Sequence, residues 1–187
     1  MCIISFRRSY FGPTMSSDAP RLDLIGRVSG SLQPGALYIL LDLRSADLND
    51  TTFHWALYLH KSNGLHPKGY KYHIKTLGEG WIADHGPLSG VTKSFLLVCL
   101  VRIAHDIPAS QYEGLARLIT LADDHINDGA ITCRVWTLSA LERLRGARFI
   151  QDDADVEGLE REVKRIGNNY RAGAVQNEQP RPIVDLY

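Results

Sequence analysis

Three side chains could do chemistry in this chain: Cys133, His54 and His73. Cys133 opens the stretch TCRVWTLSALERLRG, in which Thr132 has the type and place of a helix cap and Gly146 of a stop. The thiol is thus expected in a first helical turn. Free backbone N–H groups and the helix dipole there favour a thiolate and can hold a developing oxyanion. His54 lies in TTFHWALYLH. Side chains alternate along a strand, so Phe53, Trp55, Leu57 and Leu59 share one face, uniformly apolar, which reads as core. His54, Ala56, Tyr58 and His60 share the other, and the small Ala56 leaves room beside the imidazole. His73, in YKYHIKTL, stands with Lys71 and Lys75 on one face of a further strand. A helix-start thiol facing a strand imidazole meets the needs of a Cys–His nucleophile. Cys99, inside an apolar strand, and Cys2, in the N-terminal tail, have no such setting. The plainer role for Cys133 is that of a small buried hydrophobe.

The elements that must position these groups follow from pattern and punctuation. Pro34-Gly35 marks a turn before a strand through Tyr38 to Leu43, and a polar loop leads into the His54 strand. YKYHIKTL reads as one strand with Tyr70, Tyr72 and Ile74 on a shared face. A short strand is expected at Trp81 to Ala83, and FLLVCLV is the most apolar strand. The period then changes. From Ser110, which with Glu113 forms a capping box, Tyr112, Leu115, Ala116, Ile119, Ala122 and Ile126 recur at helical spacing. The Cys133 helix follows, then a charged helix, DADVEGLEREVKRI, expected on the surface. The class is α+β: an antiparallel sheet of four to five strands packed against two or three helices. Residues 1–20 read as a flexible tail, 21–170 as a single domain and 171–187 as a loop-like C-terminal extension. Met15 is an alternative start.

The 187 residues are 44% hydrophobic and 22% charged, with 21 basic and 21 acidic side chains. The cancelled charge gives no global field for nucleic acid or an anionic membrane. FLLVCLV is too short to span a bilayer. Three scattered cysteines suit a reducing compartment, so a cytoplasmic location is expected. The pair Arg7-Arg8, with no acid before Asp18, also fits an organelle-targeting segment.

The order of these elements resembles the circularly permuted papain-like families, above all the lecithin retinol acyltransferase-like proteins and their NlpC-type relatives. HWALY (His54 to Tyr58), KYHI (Lys71 to Ile74) and TCRVW (Thr132 to Trp136) match their three motifs in the same order, over roughly residues 37–145. Thr132 stands where those families carry asparagine. The resemblance implies that His54 deprotonates Cys133, that His73 fixes the tautomer of His54, and that Cys133 attacks an ester, thioester or amide carbonyl. The acyl-enzyme then passes to water or to an acceptor. The implied partner is a small-molecule or peptide acyl substrate, with no cofactor and no metal, and Tyr58 and Trp136 as substrate-binding candidates. With no hydrophobic anchor at the C-terminus, membrane lipids are not the expected substrate.

Two other readings stand beside it. His60, His66, His73, His85 and Asp84 include metal-ligand types, without a compact spacing such as HExxH. The chain is otherwise a non-catalytic binding or interaction module on a degenerate papain-like fold. GEGWIADHGPLSG lacks the lysine and spacing of a phosphate loop and reads as a surface connection or a lid.

Overall fold

Apolar strands with short connections assemble one large sheet, and the later helical segments cover one of its faces. The computed structural model describes residues 27–63, 68–151 and 155–186. The expected tail, Met15, Cys2 and His66 lie outside them. The strands are β1 (Arg27–Ser29), β2 (Ala36–Leu43), β3 (Phe53–Ser62), β4 (Lys68–Tyr72), β5 (Ile74–Leu77), β6 (Gly80–Ala83), β7 (Gly86–Ser89), β8 (Leu97–Ala104) and β9 (Ile183–Asp185). The helices are α1 (Tyr112–Thr120), α2 (Cys133–Gly146) and α3 (Val156–Val175). The expected α+β class is the class observed.

Four details differ from expectation. The main sheet has seven strands in the order β1-β9-β8-β2-β3-β4-β7, and it is mixed because β9 runs parallel to β8. The described part of the expected loop-like extension 171–187, residues 171–186, is therefore no loop: it holds the end of α3 and then β9, inserted between β1 and β8. YKYHIKTL is two strands broken at His73, and its second half pairs with β6 in a separate ribbon. α1 is shorter than its periodicity implies. A 3-10 turn at Ala109–Gln111 precedes it, Gln111 rather than Ser110 holds the cap position, and a second 3-10 turn at Asp123–His125 takes up the rest.

β2, β3 and β8 form the centre of the sheet, buried on both faces. Leu37, Ile39, Leu41, Phe53, Trp55, Leu57 and Leu59 face the helices. Ala36, Tyr38, Leu40, Ala56 and Tyr58 form a second cluster on the opposite face. α3, expected on the surface, has one apolar stripe of Val156, Leu159, Val163 and Ile166 that closes the helix-side core. Gly167 lets it lie close: a Cβ there would sit 2.6 Å from Leu41 Cδ1.

Gly69 on β4 is likewise forced, because a Cβ would collide with the ring of the buried Tyr58. Gly69→Ala should cost about 2 kcal/mol, the usual size for a methyl driven into a packed core. Chemical denaturation of the two proteins checks this. A midpoint unchanged in Gly69→Ala would mean that the Tyr58 ring yields freely.

Candidate functional site

β3 carries His54 as its second residue, and β4 runs antiparallel beside it, so the chain leaving β4 brings His73 to His54. The rings meet edge to face, with His54 Nε2 2.9 Å from His73 Nδ1. His73 Nε2 lies 3.1 Å from Asp84 Oδ2, and Lys75 Nζ holds the same oxygen at 2.8 Å. A carboxylate only accepts, so Asp84 fixes the proton of neutral His73 on Nε2. His73 Nδ1 then accepts, and His54 Nε2–H must donate to it. The outcome is a His54 whose Nδ1 bears a bare lone pair with no hydrogen bond from any described residue.

The electrostatics keep this chain neutral. Burial lowers the pKa of His54 from its ordinary value of 6.5; the Lys71 cation lowers it further, and Asp42 opposes them. Asp42 is the cross-strand partner of His54 and binds Lys71 Nζ at 3.0 Å, so both charges sit beside the ring. Burial, then Lys71, then His54 push His73 down to about 4. In the unfolded chain His73 gains a proton near 6.5, whereas the folded protein resists it until about 4. The stability that depends on neutral His73 is therefore complete above 6.5 and drains as pH falls toward 4. Melting temperatures across this window should decline less steeply in His73→Gln than in wild type. Parallel curves would mean that His73 titrates normally in the folded state.

Cys133 starts α2 as expected, and the Thr132 hydroxyl accepts from Val135 N–H at 3.3 Å. The thiol is nearly covered and belongs to the helix-side core with Phe53 and Trp55. His54 alternates with those two residues and points to the other face of β3. The structure thus brings His54 and His73 together and does not bring Cys133 to them. No hydrogen bond joins the thiol to either ring among the described residues.

Tyr58 and Trp136, read as substrate-binding candidates, are both buried. Tyr58 packs on Tyr38 and shares a hydrogen bond of 3.1 Å with His60 Nδ1, whose Nε2 bonds Asn63. Burial pushes the Tyr58 hydroxyl up to about 12. Trp136 donates from Nε1 to Asp123 Oδ1 at 2.9 Å, and Asp123 Oδ2 accepts from His85 Nε2 at 2.8 Å. His85 stacks on Trp136, and its Nδ1 accepts the His73 backbone N–H. Those bonds occupy both ring nitrogens of His60 and of His85. No three His, Cys, Asp or Glu side chains among the described residues are placed to hold a metal ion.

Asp84 is the site residue that sequence reasoning missed in this role. Its signal was indirect: β5 and β6 form a hairpin pairing Ile74 with Ala83, so Asp84 N–H bonds His73 O at 2.9 Å and the carboxylate falls beside the ring. No helix of the described chain is long and apolar enough to cross a membrane. Compared with protein-family models, curated proteins and solved structures, the chain matches none.

Proposed function

We propose that the protein is a hydrolase or acyltransferase for ester, thioester or amide substrates, small-molecule or peptide, with His54 as its general base. One observation carries this reading: the Asp84–His73–His54 chain of hydrogen bonds leaves the Nδ1 lone pair of His54 without a hydrogen bond from any described residue. In the proposed step, Nδ1 takes a proton from water or an acceptor hydroxyl as that oxygen bonds to the substrate carbonyl. Nε2–H then strengthens its bond to His73, which Asp84 steadies in turn. Collapse of the tetrahedral intermediate breaks the bond to the leaving group, which takes the proton back from Nδ1. The order of the histidine motifs, as in the permuted papain-like families, supports acyl chemistry. The placement of Cys133 on the other face of β3 speaks against it as the nucleophile.

That same placement, with Tyr58 and Trp136 in the core, favours a second reading as a non-catalytic binding module on a degenerate papain-like fold. Hydrolysis of p-nitrophenyl acetate and butyrate separates the two. The wild type should exceed buffer and the Cys133→Ser variant should stay within about twofold of it, since removing a group outside the reacting set leaves the barrier in place. Loss of activity in Cys133→Ser would restore a thiol acyl-enzyme. A wild type no faster than buffer would leave the binding module.

A further inference from the structure

On the helix side of β3, away from His54, a cleft of about 440 Å³ opens beside the start of α2. That volume lies in the range of small-molecule sites. Three cations line it: Arg44 from the loop after β2, Arg134 from the first turn of α2, and Lys164 from α3. Glu160 bonds both Arg134 and Lys164. Burial opposes the ionisation of Glu160, but those two hydrogen bonds prevail and hold its carboxyl below its ordinary value. Arg44 pairs with no carboxylate among the described residues. Among the described residues, three cations against one carboxylate leave the cleft positive in a chain whose formal net charge is zero.

The rest of the lining suits an oxyanion. Thr132 and Asn168 offer side-chain donors, and Asn168 makes no side-chain hydrogen bond with any described residue. The floor is the edge of Phe53 and Trp55, with Cys133 beside them. We infer that this cleft binds a small organic anion, a carboxylate or phosphate, its charge held between Arg44, Lys164 and Arg134 and its carbon body lying over Phe53 and Trp55. The cleft lies on the opposite face of the strand from His54, and of its lining cations Arg44 also lowers the His54 pKa.

Cys133 supplies a reporter for the full-length protein. Its alkylation by anionic iodoacetate and by neutral iodoacetamide is followed by peptide mass, which separates it from Cys2 and Cys99. The iodoacetate-to-iodoacetamide rate ratio at Cys133 should exceed that of glutathione about tenfold, because a positive cleft concentrates the anion. Arg44→Gln and Lys164→Gln should each lower the ratio about threefold, the ratio cancelling any change in the thiolate fraction. Inorganic phosphate and propionate are then tested as protectants at equal ionic strength. Slowing by one of them supports the site and names the chemistry. A ratio equal to that of glutathione, or no slowing by either anion, overturns the inference. If neither reagent reaches the thiol, the melting temperature in phosphate against chloride at equal ionic strength decides: a rise lost in Arg44→Gln supports the site, and no rise overturns it.

Discussion

Replacing His54 with Gln should lower kcat/KM for p-nitrophenyl ester hydrolysis by about 10²–10⁴, the range for a positioned general base. Glutamine retains a hydrogen bond toward His73 but offers no basic nitrogen at the Nδ1 position. His73→Gln and Asp84→Ala should each cost about 10–100-fold, because orienting a base matters less than the base itself. Asp84 is exposed enough that its loss should leave the melting temperature nearly unchanged, which separates positioning from folding. The pH profile adds a readout that a structural role would not move. Activity requires neutral His54, so the acid limb of kcat/KM should have its midpoint below 6.5, where burial and then the Lys71 cation place the titration. Lys71→Met removes a cation that disfavours the imidazolium, so the acid limb should move to higher pH. A His54→Gln variant with wild-type rates, or a limb that ignores Lys71, would make the histidine pair a purely structural contact.

Arg171→Met should lower stability by about 3 kcal/mol, since it removes a buried guanidinium that ties three loop carbonyls to α3. The guanidinium is buried on α3 and reaches across to the loop between β2 and β3. Nε bonds Asp47 O at 2.9 Å, Nη1 bonds Thr52 O at 3.2 Å and Nη2 bonds Ser45 O at 3.0 Å. It also lies 5.5 Å from the centre of the Phe53 ring and 3.4 Å from Asp50 Oδ2. Hydrogen bonds from Thr52 and Ser45 hold the Asp50 carboxyl far below its ordinary value. For a domain of this size the expected loss is about 6–12 °C in melting temperature. Arg171→Lys should recover only part, because an ammonium cannot reach three carbonyls in one plane. The loop so held carries Arg44 and leads into His54, so both sites should loosen together. A shift under 2 °C, on the order of 0.5–1 kcal/mol here, would mean that water replaces the guanidinium at little cost.

Features written in short-range pattern were legible before any fold was known. Thr132 and Gly146 bracket α2 because caps and stops act within a turn. The alternation in TTFHWALYLH placed His54 opposite Phe53 and Trp55 because strand side chains have a period of two. The meeting of His54 and His73 was legible through motif order. What tertiary structure decided was which face each group received. Both faces of β3 are apolar and buried beyond His54, so nothing local states which of them α2 will cover. It covers the Phe53 and Trp55 face, which takes Cys133 away from His54. Asp84 joins His73 only through the β5–β6 hairpin, a pairing set by register rather than by local sequence. β9, from the last residues of the chain, completes the sheet beside β8 because an open strand edge takes a partner from anywhere that packing brings one.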